Sequence, residues 1–136
     1  MPTLICEKEQ AIKRLRGLLK LQKEMEERFG DTEYNVFVFG SYLTTHYQEG
    51  KSDIDLAIYT EDFELYKRLS LYLEEYFDVI GVESDIFYID IAMEAPIYCA
   101  PLKSKVQFTD YYPQKLQDFY KKCQNKLEET KGRLAV

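Results

Sequence analysis

Seven residues near the middle of the chain, Asp53-Ile54-Asp55-Leu56-Ala57-Ile58-Tyr59, put Ile54, Leu56 and Ile58 on one face of a strand and Asp53 and Asp55 together on the other. A strand of this pattern has to lie in a sheet whose aliphatic face is covered, because an isolated ribbon leaves that face in water. The two aspartate Cα atoms then stand roughly 6–7 Å apart, twice the strand rise. Carboxylates so placed repel, and burying even one unpaired charge costs several kcal/mol. A hard divalent cation in the gap removes the conflict, since Mg²⁺ typically takes one or two protein carboxylates plus substrate phosphates. The alternative is that Asp53 caps the preceding loop and Asp55 lies on a solvated face.

The rest of the chain supplies the cover. Ile12, Leu15, Leu19, Met25 and Phe29 recur at helical spacing between Cys6 and Phe29. Gly30 follows, where a left-handed residue ends a helix. Tyr34 to Phe39 is a β-rich run, and Tyr42 to Ser52 is a polar loop with room for one helical turn. Asp62 to Phe77 aligns Phe63, Tyr66, Leu69, Leu73 and Tyr76 as an amphipathic helix. Gly81 opens a third strand, Val82 to Ile91. Pro96 and Pro101 bracket a short irregular or helical piece, Val106 to Thr109 reads as an edge strand, and a last helix runs from Pro113 towards Gly132. The order α-β-β-α-β-(short)-α predicts a small mixed sheet with flanking helices, an α/β (α+β) fold in one domain spanning 1–136. The helix between the second and third strands allows a parallel pair there by a right-handed crossover; the loop between the first two permits either sense.

Composition narrows the function. The 136 residues carry a formal net charge of −6, so a sequence-blind nucleic-acid binder, which needs a positive surface, is not expected. Acidity suits a basic protein partner instead. Three cysteines at wide spacing and a single histidine leave no zinc site; they read as reduced thiols of a cytoplasmic protein. No stretch reaches the ~20 apolar residues of a membrane span. Charge appears by Glu7-Lys8-Glu9, before a signal-peptide core could form. His46 reads as a solvated loop residue, and Lys51 as a surface lysine or a phosphate contact. Most of the twelve tyrosines fall on amphipathic faces, as core or interface.

Gly40-Ser41 sits at the end of the first strand, where a small residue lets backbone approach a ligand and N–H groups and a hydroxyl face an anion. Eleven residues then separate Ser41 from Asp53. A phosphate cradle and a carboxylate pair thus meet at one end of the sheet. Phe39-Gly40-Ser41 … Ser52-Asp53-Ile54-Asp55-Leu56-Ala57 resembles the signature of the DNA polymerase β-type nucleotidyltransferase superfamily. More narrowly, it resembles the minimal nucleotidyltransferases that act as MNT-type antitoxins of HEPN-domain toxins, over nearly the whole chain. The loop is one residue longer than is usual there, in a polar segment that tolerates insertion.

The resemblance implies a nucleotidyltransferase fold and transfer of AMP from ATP to a hydroxyl, with a tyrosine of a HEPN toxin as acceptor. It implies that Gly40 and Ser41 hold the triphosphate and that Asp53 and Asp55 bind Mg²⁺, two ions being expected. A third carboxylate then shares a metal and activates the incoming hydroxyl. Asp85 and Asp90 are the candidates; five apart, they face opposite ways in a regular strand. Asp85 is preferred because it opens the apolar run Ile86-Phe87-Tyr88-Ile89, the family's pattern. Two other functions stay open: a catalytically silent module that neutralises a toxin by occlusion, and a small-molecule transferase of the aminoglycoside-modifying kind. A homo- or hetero-oligomer fits any of the three.

Overall fold

The structure, a computed structural model, describes residues 4–134 and the side chains of 7–132, so the side chain of Cys6 lies outside it. Helix α1 (Leu4–Phe29) leads into strand β1 (Asn35–Phe39), a 3-10 turn (Gly40–Leu43) and strand β2 (Ile54–Tyr59). Helix α2 (Phe63–Val79), strand β3 (Ser84–Tyr88), a 3-10 turn (Pro96–Tyr98), the short helix α3 (Cys99–Leu102), strand β4 (Val106–Gln107) and helix α4 (Pro113–Leu134) follow. The four strands lie in the order β3-β2-β1-β4. Strand β1 runs antiparallel to both β2 and β4, while β2 and β3 are parallel across α2. The mixed α/β sheet is the one expected from the element order, and the β2–β3 pair takes the parallel sense that order allows.

Helices cover the sheet on both sides. Val36, Val38, Ile54, Leu56 and Ile58, all fully buried, pack with Leu18, Leu21 and Met25 of α1 and with Leu65, Leu69, Leu73 and Phe77 of α2. Burying each of these aliphatic strand side chains contributes about 1.5–3 kcal/mol. Phe37, Ala57 and Tyr59 face the other way, against Leu116, Phe119 and Cys123 of α4 and against Tyr98 and Cys99.

The helices are turned from the faces their apolar residues advertise. On α1 the core takes Leu18, Leu21, Met25 and Phe29, whereas Ile12, Leu15 and Leu19 stay exposed. The segment carries two overlapping stripes of leucine, and only one continues in phase to Met25 and Phe29. On α2 the buried row is Leu65, Leu69, Leu73 and Phe77; Tyr66 and Tyr76 lie at its margin and Phe63 is exposed. Asp62 caps this helix, its Oδ1 accepting from the backbone N–H groups of Glu64 at 3.0 Å and Leu65 at 3.4 Å.

The left-handed helix stop belongs to Gly81 rather than Gly30. Gly81 has φ +80°, its N–H donates to Asp78 O at 3.0 Å, and Val82 N–H donates to Phe77 O at 2.9 Å. Those paired bonds form a Schellman motif, which needs glycine at that place. Gly30 is outside the left-handed region. The third strand is also shorter than Val82 to Ile91, because Asp90 turns the chain by accepting from Ala92 N–H at 2.9 Å.

Candidate active site

Strand register alone brings the acidic residues together. Asp55 of β2 is paired with Phe39 of β1 on one side and with Asp85 of β3 on the other. Directly paired residues of adjacent strands face the same side of a sheet, about 4.7–4.9 Å apart in the pairing direction. Asp55 and Asp85 therefore share a face, and Asp53 precedes Asp55 on that face by one pleat. The face is the α4 side, but α4 covers it only over the later residues Ala57 and Tyr59. At the aspartate end it is open: Asp53 and Asp85 are exposed and Asp55 is half-buried.

The electrostatics report the convergence. Partial burial pushes the Asp55 carboxyl above its ordinary value, and the charges of Asp85 and then Asp53 push it further. A carboxylate raised in this way is a group waiting for positive charge. All three donors are hard oxygens, which suit Mg²⁺. Among the described residues no three His, Cys, Asp or Glu side chains form a ready-made metal cage. That is the ordinary condition of a Mg²⁺ site, whose remaining ligands are water and substrate phosphate.

Gly40 follows Phe39, the register partner of Asp55, and so lies over that carboxylate. Its φ is +81°, and a Cβ built on it falls 2.3 Å from Asp55 Oδ2. Glycine is thus required twice, by backbone conformation and by the room the carboxylate takes. Ser41, second in the 3-10 turn, is half-buried, and its carbonyl accepts from Thr44 N–H and Thr44 Oγ1, both at 2.9 Å. The loop returns through Ser52, whose N–H donates to Gln48 O at 2.9 Å, and delivers Asp53 beside Asp55.

Sequence reasoning singled out Gly40, Ser41, Asp53, Asp55 and Asp85, and the structure gathers them at one end of the sheet. Asp90 it leaves at the other end of β3, tied into its own turn with its N–H donating to Tyr98 Oη at 3.3 Å. His46 and Lys51 are exposed on the loop. One contributor escaped notice: Arg14 of α1, nearly buried, reaches across to the loop. Its signal was helical phase, since Arg14 falls in line with Leu18, Leu21 and Met25 on the core face. A cavity of about 690 Å³, lined by residues such as Glu26, Tyr34 and Phe108, opens between α1 and the β4 edge, away from the carboxylates. The carboxylates themselves sit on an open rim.

A mixed sheet that sets a glycine-serine turn over an Asp-x-Asp strand defines a nucleotidyl-transfer scaffold. The chain belongs to the nucleotidyltransferase domain family, which residues 18–128 match. A comparison with curated proteins finds no match. One solved structure of similar fold is a crystal structure of the toxin–antitoxin MntA-HpeT bearing two Asp-to-Glu substitutions two positions apart; it is 16% identical, with 85% of this chain and 90% of that one covered at a TM-score of 0.50. Another, a toxin–antitoxin with AMP-PNP, is 16% identical over 82% of this chain and 90% of that one, with a TM-score of 0.51. At that identity the likeness is one of fold.

Proposed function

We propose that this chain is a Mg²⁺-dependent adenylyltransferase that moves AMP from ATP onto a tyrosine hydroxyl of a HEPN-type toxin, and so acts as its antitoxin in the cytoplasm. The observation that carries the reading is Asp55 held between Asp85 and Asp53 beneath Gly40. The similar toxin–antitoxin structures support it, one with AMP-PNP and one altered at two aspartates spaced like Asp53 and Asp55. Two free, buried thiols, Cys99 and Cys123, suit a reducing compartment.

In this reading Ser41 and the backbone at Gly40 orient the triphosphate, and Asp53 and Asp55 would orient its α-phosphate end through the cation they would share. Asp85, on the outermost strand, takes the proton of the incoming hydroxyl. The hydroxyl oxygen bonds to the α-phosphorus, the bond from that phosphorus to the bridging oxygen breaks, and pyrophosphate leaves with the electron pair. Asp53, Asp55 and Asp85 would hold Mg²⁺, which would supply neutralisation of the phosphate charge. The remainder is positioning, with no covalent enzyme intermediate. AMP on a toxin tyrosine places a bulky anion where an RNA backbone would lie.

The test combines calorimetry with mass spectrometry. AMP-PNP binding is expected to need Mg²⁺ or Mn²⁺ and to vanish in a folded Asp53→Asn, Asp55→Asn double variant; equal affinity in chelator overturns the shared-metal site. Incubation with ATP, Mg²⁺ and the toxin is expected to add AMP to a toxin tyrosine. A toxin still neutralised by Asp53→Asn with no adduct would establish occlusion instead.

A further inference from the structure

Arg14 is a cation on the core face of α1, and every hydrogen bond recorded for its side chain goes to the Gly40–Ser52 segment. Its Nε donates to Tyr42 O at 2.9 Å, its Nη2 to Thr44 O at 2.8 Å, and its Nη1 to Glu49 Oε1 at 2.9 Å. The guanidinium carbon also lies 4.6 Å from the centroid of the Tyr47 ring and 5.6 Å from that of Tyr42. Those two rings meet edge-on at 5.0 Å, and both are buried. One planar fork therefore grips the segment at its start, through the carbonyls that end the 3-10 turn, and near its close, through Glu49.

Apart from Arg14, the segment is anchored through the buried rings of Tyr42 and Tyr47, Tyr42 meeting Phe77 of α2 edge-on at 6.2 Å. Its own backbone bonds are local: Thr44 N–H to Ser41 O, Tyr47 N–H to Thr44 O, and Lys51 and Ser52 N–H to Gln48 O. None of those bonds ties it to the helices or to another strand. Its two ends are where the site is made, since Gly40 lies against Asp55 and Ser52 leads into Asp53. Burial and then Glu49 hold the Tyr47 phenol above its ordinary value against the lowering pull of Arg14, with a smaller upward push from the nearby Asp53 charge.

We infer that Arg14 is a positioning residue: it clamps the Gly40–Ser52 segment to α1 in the one shape that sets Ser41 and Asp53 on either side of Asp55. The inference rests on the proposed nucleotide site for its purpose, but the clamp itself is a property of the free protein. Lysine cannot replace arginine, because a single ammonium on a flexible stem lacks the fork that reaches two carbonyls and a carboxylate at once. A clamp of this kind acts on binding, so its loss raises KM for ATP more than it lowers kcat at saturation.

Hydrogen exchange and nucleotide titration of the full chain test this together, on wild type, Arg14→Met, Arg14→Lys and Met25→Ala. Met25 is fully buried on the same helix face, about 16 Å further along the axis, and controls for lost stability. In Arg14→Met the amides of Thr44, Tyr47, Lys51 and Ser52 are expected to exchange at least about tenfold faster while β1 and β2 keep their relative protection. AMP-PNP affinity in Mg²⁺ is expected to fall about tenfold or more, with Arg14→Lys resembling Arg14→Met. Met25→Ala is expected to lower the melting temperature without singling out the loop. Loop amides as protected in Arg14→Met as in wild type overturn the clamp, as does full rescue by lysine. A wild type that binds no AMP-PNP, with the loop still released by Arg14→Met, overturns the nucleotide reading and leaves the clamp standing.

Discussion

The two faces of β2 are built from alternate residues of one six-residue strand, and they were made for different ends. Towards α1 and α2, Ile54, Leu56 and Ile58 are sealed along their whole length, with none of their surface exposed. Towards α4 the face divides: Ala57 and Tyr59 are packed beneath Phe119 and Cys123, and the Asp55 end is uncovered. The difference teaches where burial for stability ends and an open polar rim begins. The sealed face holds the register, and register is what places Asp85 beside Asp55. The open end holds three like charges that no fold would choose for stability.

The largest effect is expected at the open end. Asp85→Asn should lower the transfer rate by about 10²–10⁴-fold, the ordinary worth of a positioned base, with AMP-PNP affinity changed far less. Asp90→Asn should stay within a factor of a few, because that carboxylate serves only its own turn. Single-turnover kinetics on both variants decides it, and reversed severities would mean that the paired register does not set the chemistry.

Next comes the sealed face. Leu56→Ala should destabilise the protein by about 2–5 kcal/mol by denaturant titration, through lost burial plus a cavity. The surviving folded fraction should still bind nucleotide. Loss of binding in proportion beyond unfolding would show that the two faces are not separable.

A smaller change tests the scaffold around both. Asp62→Ala should cost about 1 kcal/mol by uncapping α2, with metal-dependent binding unaltered. Circular dichroism melts with and without AMP-PNP measure both terms.

The smallest effect has the opposite sign. The Asp55 carboxyl is held above its unfolded value, so the folded state binds the proton more tightly. Stability is then fullest below the unfolded value, falls as pH rises through the window up to the raised folded value, and stays lowered above it. Asp55→Asn should remove that fall and raise the melting temperature at pH 7 without metal, even as it abolishes transfer. A melting temperature that does not rise would mean that the three carboxylates do not strain the apo site.

Most of this was legible before any coordinates. The order of elements and the set Gly40, Ser41, Asp53 and Asp55 follow from local spacing or from a short motif, while the parallel crossover is allowed and Asp85 is preferred to Asp90 without being paired. Local spacing failed where two readings competed. Helical spacing joins Ile12, Leu15 and Leu19 to Met25 and Phe29, whereas the core takes Leu18 and Leu21 with those two, and nothing within α1 ranks the alternatives. Gly30 and Gly81 each follow a helix, yet only Gly81 turns left-handed. Arg14 was invisible for a related reason, since a charged side chain in core phase gains meaning only when its partners, 28 to 35 residues away, are known.

What the sequence by itself determined is where the glycine-serine turn and the Asp-x-Asp pair fall and which alternate residues of β2 are greasy, because strand periodicity and a glycine-serine turn are properties of neighbours along the chain. What only the tertiary structure decided is the pairing: Asp85 rather than Asp90 next to Asp55, Gly40 against the same carboxylate, and Arg14 across the loop that joins them. Register, close approach and reach are relations between segments far apart in sequence. They are fixed when the aliphatic face of the sheet closes on α1 and α2, since a slip of one residue would turn every strand side chain to the wrong side.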